Sequence, residues 1–413
     1  LPLQNTIGAE IVAYANRKRL LTFQKSNGKT MRKIIYGLML LILGVNCSSW
    51  ANGDHTEIQE LVIVSSVLGE KRNLVVYLPA GYQKNQQRFP VLYLTDGDIQ
   101  GPHTAGTLDY LAKFDQTPKM IVVGIVNSPQ TRERDLTVTS TEQQPVQQTE
   151  QQSEQQLANA DRFLAFVEQE VIPFVKKRYR TLDYQALSGT SHGGQFAINA
   201  LVKRPGLFDG IIAISPSLYW DKAQMLVLTK LALKREQLQG RLYVSIADEE
   251  STMTEPFQKF VALTQRYPSE KLVVASQIFG TETHNTTVLQ GQYYGLKHLF
   301  SGWGIPETPQ TLADLQSIFE RRSKLLNTPF VIPEDRAAGF GQWLQYLNRQ
   351  EDALALLQWN RKTYPQSLNA HTALINAYVH FKLTDDAKSA LEEAKKSVHG
   401  LSAEQKQQLE GLI

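Results

Sequence analysis

Between about residues 57 and 300, apolar positions fall into short continuous runs separated by longer amphipathic stretches. FPVLYLT (89–95), MIVVGIV (120–126), FDGIIAIS (208–215) and RLYVSIA (241–247) are apolar at most positions. That is the pattern of strands covered on both faces. ELVIVSS (60–66) and KRNLVVYLP (71–79) come first, and Gly69 between them predicts a hairpin. YQAL (184–187) and KLVVASQIF (271–279) complete the strand-like runs. Over 159–179, Phe163, Phe166, Val167, Val171 and Phe174 fall on one helical face, and Pro173 is expected to separate the last turn from the segment after it. Shorter helices are predicted at 108–114, 223–239 and 293–300. Strands alternating with helices predict an α/β fold with a central, mostly parallel sheet.

From about Pro306 the strand pattern stops. Helices are expected over 312–326, 339–348 and 351–364. Leu374, Ala377, Tyr378, Leu383, Ala387, Ala390, Leu391 and Ala394 then follow the small-and-large apolar spacing of a tetratricopeptide helix pair. A small all-α C-terminal domain, 306–413, is therefore expected beside a larger α/β domain at 52–305. One clear helix pair is too short for a free solenoid, so packing against the larger domain is the main expectation and a protein contact the minor one. Residues 139–156, TSTEQQPVQQTEQQSEQQ, read as a long glutamine-rich loop, either a lid or an insertion.

Candidate chemistry centres on LSGTSHGG (187–194). A strand ends, a sharp turn carries Ser191, and a helix begins with Phe196, Ala197, Ala200 and Leu201 on its apolar face. Gly189 and Gly193, two positions either side of the serine, let strand and helix approach closely. This is the G-x-S-x-G nucleophile elbow. The His192 N–H then faces the charge that develops during acyl transfer. A second oxyanion donor is expected after strand 89–95, and the Asp98 N–H in Asp96-Gly97-Asp98 is the candidate.

A serine hydroxyl needs an imidazole to take its proton, and in this fold class the partners follow in the order nucleophile, acid, histidine. The acid is expected just beyond strand 241–247, where Asp248, Glu249 and Glu250 stand together and spacing leaves the choice open. The histidine is expected after strand 271–279, which selects His284 as general base. Pocket candidates are His103, beyond the oxyanion turn, and the aromatic pair Tyr219 and Trp220 at a strand end. Arg134 is a further pocket candidate, although an ion pair with Asp135 is its main expected role.

Composition changes the picture little. The chain has 413 residues, 43 basic against 40 acidic, and a formal net charge of +3, which points to no nucleic-acid partner. A single cysteine excludes an internal disulfide, and no zinc spacing or histidine cluster appears, so neither a metal nor a cofactor is expected. Met31 opens a basic start, a short apolar core at 34–45 and the small-residue site Ser49-Trp50-Ala51. That pattern predicts a secretory signal peptide after an upstream stretch, 1–30, with export to a periplasmic or extracellular space and no membrane span in the mature chain. Lipid anchoring through Cys47 is the lesser alternative, because Asn46 is a poor residue before a lipidated cysteine.

VLYLTDGD, VGIVNSPQTRERDLT, ADRFLAFVEQEVIPFVKKRY, LSGTSHGGQFAINAL, FDGIIAISPSLYWD and ETHNTTVLQGQYYGLKHLF together resemble the putative-esterase family of α/β-hydrolases. They are most similar to the periplasmic enterobactin-esterase-like serine hydrolases. The resemblance spans about residues 57–300. It implies an α/β-hydrolase fold and carboxylester hydrolysis of a small-molecule ester, with Ser191 as nucleophile and His284 as base. Acyl transfer and a catalytically weak binding protein are the alternatives. In the family a glycine commonly opens the turn after the acid strand, with Glu three residues on. Ala247 takes the glycine position here, and the resemblance favours Glu250 as the acid, with a serine–histidine dyad also allowed.

Overall fold

The apolar runs become the strands of one sheet. The computed structural model describes residues 56–138 and 159–413. The 31–51 segment read as a signal peptide, with Cys47, and the glutamine-rich stretch 139–156 lie outside the described residues. Among the described residues the strands are β1 (Glu57–Ser65), β2 (Glu70–Leu78), β3 (Phe89–Thr95), β4 (Ile121–Ile125), β5 (Thr181–Thr190), β6 (Gly210–Ile214), β7 (Gly240–Ala247) and β8 (Leu272–Phe279). Their spatial order is β1-β2-β4-β3-β5-β6-β7-β8. β2 pairs antiparallel with both β1 and β4, and the remaining neighbours pair in parallel.

The helices in chain order are α1 (Gly97–Lys113), α2 (Arg132–Leu136), α3 (Ala160–Phe166), α4 (Ile172–Arg178), α5 (His192–Lys203), α6 (Trp220–Lys234), α7 (Ser251–Arg266) and α8 (Thr287–Leu299). The C-terminal region continues with α9 (Leu312–Leu326), α10 (Glu334–Tyr346), α11 (Gln350–Thr363), α12 (Leu368–His380), α13 (Thr384–Ser397) and α14 (Ala403–Glu410).

Helices on both faces explain why the central strands lack a polar side. Val91, Tyr93, Ile121, Val123, Leu187 and Ile211 belong to one core with Phe163, Phe166, Phe196 and Phe260. Their neighbours Leu92, Leu94, Val122, Ala186 and Ile212 point the other way, into a second core with Leu108, Leu111, Leu296 and Leu299. This is the two-residue period of a strand with both faces buried. The Phe163 and Phe196 rings meet edge-on at 5.1 Å between α3 and α5. Burying each such ring stabilises the fold by about 2–3 kcal/mol. At the edge, β1 alternates, with Ile58, Val62 and Val64 exposed.

Two local expectations are corrected. Helix α1 begins at Gly97, immediately after β3, and contains Pro102, so it is longer than the predicted 108–114. Pro173 does not break the chain: a five-residue π turn, Val167–Val171, joins α3 to α4, and Pro173 occupies the first turn of α4. The π turn changes the backbone pairing where proline has no N–H to give.

Thr56–Ile413 forms one compact unit. Helix α9 starts in a capping box between Thr311 and Asp314. At its far end Leu326 enters the same core as Leu92 and Leu94. The Arg322 guanidinium donates to the Trp303 carbonyl and to Asp115, each at no more than 2.8 Å. The other face of α9 shares a core with α10 and α11, around Leu315, Ile318 and Phe340, and a further core lies around Leu374, Ala387 and Leu391. No helix of the described residues is long and apolar enough to cross a membrane.

Candidate active site

Ser191 stands at the carboxyl end of β5, where the strand order turns back between β3 and β5. Open α/β sheets leave a crevice at such a point. Its backbone has φ 59° and ψ −119°, a conformation that costs a non-glycine residue about 1–3 kcal/mol. The fold holds it there through three backbone bonds. The Ser191 N–H donates to the Ile214 carbonyl at 2.9 Å, and its carbonyl accepts from Gln195 at 3.0 Å and Ser217 at 3.1 Å. The Ser191 and Ser217 hydroxyls are 3.3 Å apart.

The glycines are required by contact. A Cβ on Gly189 would lie 2.1 Å from the Gly193 carbonyl oxygen, and one on Gly193 would lie 2.2 Å from Thr95 Oγ1. Gly189→Ala is therefore expected to lower unfolding free energy by about 1–3 kcal/mol, as overpacking does. Urea denaturation checks this, and a change within about 0.3 kcal/mol, the error of such a comparison, would refute the close-packing account.

His284 follows β8, and its Nδ1 lies 2.9 Å from Glu249 Oε2. The other Glu249 oxygen accepts the Ser215 hydroxyl at 2.5 Å. Ser215 is itself fully buried, at a φ of 40°. Burial acts to raise the Glu249 carboxyl, but the bonds from His284 and Ser215 outweigh it, and the group is held below the ordinary glutamate value. A carboxylate on Nδ1 selects the tautomer with its proton there and leaves Nε2 with a free lone pair.

The carboxylate on His284 is thus that of Glu249, which corrects the preference for Glu250. Side chains alternate as the chain leaves β7. Asp248 and Glu250 are exposed, and Glu250 is the residue capping α7, with its carbonyl accepting from Met253 and Thr254.

A cavity of about 530 Å³ lies over Ser191 and His284. Ile99, Val288 and Leu289 form its apolar side, and Asp96, Gln100, His103, Arg132 and Asn285 its polar side. His103 lines this cavity, 2.7 Å from Gln100, and burial lowers its pKa. Arg134, Tyr219 and Trp220 are not brought to the cavity. Arg134 pairs with Glu70 and Asp135. Tyr219 is 42% exposed, and Trp220 meets the His192 ring edge-on at 5.1 Å. Burial, then the charge of Arg132, lowers the His192 pKa.

Arg132 is the residue that sequence reasoning missed. Its guanidinium grips Asp96 with both arms, at 2.7 and 2.9 Å, and reaches the Thr190 carbonyl at 3.3 Å. The only sequence signal was its place in RERD, two positions before Arg134, on a helix too short to show a period.

The His192 N–H is the first of α5 and has no carbonyl a turn earlier to bind. The same holds for Gly97 and Asp98 at the start of α1, whereas the Asp96 N–H is already given to Asn127 Oδ1 at 3.1 Å. Among the described residues no three His, Cys, Asp or Glu side chains gather as a metal site would require.

The fold has solved counterparts. An IroE-like serine hydrolase from Shewanella oneidensis superposes with a TM-score of 0.62 at 27% identity, covering 75% of this chain and all of that one. An uncharacterised protein from Capnocytophaga ochracea superposes with a TM-score of 0.66 at 17% identity, over 86% of this chain and 99% of the other, and shows the fold alone. In sequence, the chain is 47% identical over 64 residues to a siderophore triacetylfusarinine C esterase of Aspergillus fumigatus, covering 15% of this chain and 22% of that protein. It is 28% identical over 160 residues to the ferri-bacillibactin esterase BesA of Bacillus subtilis, covering 37% of this chain and 53% of that one. These matches span about half or less of the curated relatives' own lengths. The sheet order and helical layers are those of an α/β-hydrolase, followed by an all-helical region. The pattern that defines the family described as "Putative esterase" matches residues 65–301, more than half of the chain, and the protein belongs to that family.

Proposed function

We propose that the protein is a serine esterase that hydrolyses siderophore-type esters through an acyl-enzyme. The observation that carries this is the elbow serine under a cavity that also holds His284, itself bound to the buried Glu249. In this reading Ser191 Oγ attacks the ester carbonyl and gives its proton to His284 Nε2. Glu249 keeps the imidazole oriented and stabilises its charged form. The His192 N–H and an N–H at the start of α1, with Asp98 the first candidate, receive the oxyanion. The ester bond then breaks as His284 protonates the departing alcohol oxygen. Water, deprotonated by the same imidazole, releases the acid and restores Ser191.

The substrate class rests on the relatives named for siderophore hydrolysis and on the cavity. One wall is apolar, as an aromatic or acyl group requires. Among the described residues the cavity's one lining Lys or Arg, Arg132, is already engaged with Asp96, so selection there rests on shape and hydrogen bonding more than on a field of positive charge. The test is hydrolysis of a catecholate trilactone and a cyclic hydroxamate triester beside p-nitrophenyl butyrate, followed by mass spectrometry. Cleavage of p-nitrophenyl butyrate alone would remove the siderophore assignment and leave the esterase chemistry. Export belongs to the same proposal and rests on the 31–51 pattern. A secreted or periplasmic product beginning at Asn52 supports it, and retention of 34–45 in the mature protein refutes it. The helices α9–α14 are proposed to serve as a tetratricopeptide-like buttress.

A further inference from the structure

A second, larger cavity lies at the opposite end of the sheet from Ser191. Ser191, Glu249 and His284 follow the carboxyl ends of parallel strands, whereas this cleft is built where β6, β7 and β8 begin. Its volume is about 690 Å³, and α9 and the 301–303 turn close its other side.

The charge of the cleft is one-sided. Among the described residues Arg241, Lys271, Arg321, Arg322 and Lys324 line it, against the single carboxylate of Asp209, which accepts the Gln185 N–H at 2.9 Å. Three of the cations are engaged. Arg241 holds the His298 carbonyl and Ser301, Arg322 holds Asp115 and the Trp303 carbonyl, and Arg321 reaches Ser317. Lys271 and Lys324 make no ion pair among the described residues.

The floor carries a separate signal. Tyr184 and Trp303 both line the cleft, and each is only 4% exposed. Among the described residues neither the Tyr184 hydroxyl nor the Trp303 indole N–H has a hydrogen-bond partner. Buried donors are rarely left so, because each costs about 1–3 kcal/mol. Burial pushes the Tyr184 phenol well above its ordinary value, so it remains an O–H donor at neutral pH. The cleft is therefore lined by Tyr184 and Trp303, whose buried donors lack partners, by the ammonium groups of Lys271 and Lys324, and by the apolar side chains of Val273 and Leu325.

We propose that this cleft is a second ligand site, separate from the ester cavity, for a small organic anion with a phosphate or carboxylate head and an apolar body. The head meets Lys271 and Lys324, and the body lies against Trp303. The site does not depend on the esterase reading, since nothing in it touches Ser191 or His284.

Phenyl phosphate is the probe, titrated by calorimetry into Ser191→Ala protein so that the ester cavity turns nothing over. Saturable binding is expected, weakened about tenfold or more in Lys271→Ala/Lys324→Ala and weakened by salt. Trp303→Phe, which keeps a ring and removes the N–H, is expected to weaken it too, and inorganic phosphate to bind less tightly than phenyl phosphate. The double lysine variant changes only exposed side chains and keeps ester hydrolysis in the Ser191 protein. Binding to phosphatidylglycerol vesicles that is lost in the same double lysine variant would assign the head to a lipid, and binding of phenyl phosphate without vesicle binding would assign it to a soluble ligand. Three results overturn the proposal: no heat at millimolar phenyl phosphate, binding indifferent to both lysines, or binding abolished by Arg132→Ala, which would put the probe in the ester cavity.

Discussion

Ser191→Ala is expected to lower kcat/KM for ester hydrolysis by about 10⁴-fold or more, with the fold intact. The substitution removes one oxygen from a residue whose backbone is held by Ile214, Gln195 and Ser217, so the elbow keeps its shape. Alanine pays the same left-handed strain as serine, and unfolding should shift little. What disappears is the atom that becomes covalently bonded to the acyl group. The fall should appear in kcat, because the cavity walls that bind substrate are untouched. A fluorophosphonate probe should label the unmodified protein at Ser191 and leave the variant unlabelled. Retained turnover, or label at another serine, would dismiss the mechanism.

The second large effect separates two neighbouring glutamates. Glu249→Gln is expected to cost about 10²–10⁴ in kcat, because the amide can no longer stabilise a charged imidazole and can turn it to the wrong tautomer. Glu250→Gln, on an exposed cap residue, is expected to stay within about twofold, as surface changes away from a site do. A loss under tenfold for Glu249→Gln would favour a working serine–histidine pair without the acid. Glu249 also carries a pH signature. Its carboxyl is held below the ordinary value in the folded state, so the charged form favours folding. That stability is present above the unfolded glutamate pKa and is lost as pH falls through the lower folded value. Urea denaturation across the acid range should show a smaller loss in Glu249→Gln than in the unmodified protein, the remainder coming from other carboxyls held low, such as Glu70.

Much of this arrangement was readable from particular residues. The unbroken apolar runs at 89–95 and 120–126 announce strands covered on both faces, and the two-face core around Tyr93 and Leu94 is what that pattern requires. The elbow carried its own geometry in Gly189 and Gly193, and chain order led to His284. The acid was different. Asp248, Glu249 and Glu250 have the same chemistry and near-identical positions, and only the direction of the chain leaving β7 separates them. Arg132 and Arg134 pose the same problem on a five-residue helix: one faces Asp96 and the cavity, the other Glu70. Neither difference has a periodic signature, because each depends on which way one or two side chains turn. The early start of α1 was hidden for another reason, since Gly97, Gly101 and Pro102 are poor helix residues that tertiary packing overrides.

Arg322 gives the helical region a meaning that its amino-acid pattern does not. Its guanidinium closes on Asp115 and Trp303, residues that belong to the enzyme half of the chain, while Leu326 fills part of that half's interior. A chain ended at 305 would keep every residue of the proposed catalytic machinery and still lose a plug from its core, leaving Trp303 and the Asp115 carboxylate without their partner. The catalytic text and the scaffold that keeps it folded therefore have different lengths. Gene fusions, proteolytic nicks and insertions that spare 57–300 but fall within α9 would damage an enzyme whose active-site residues they never touch.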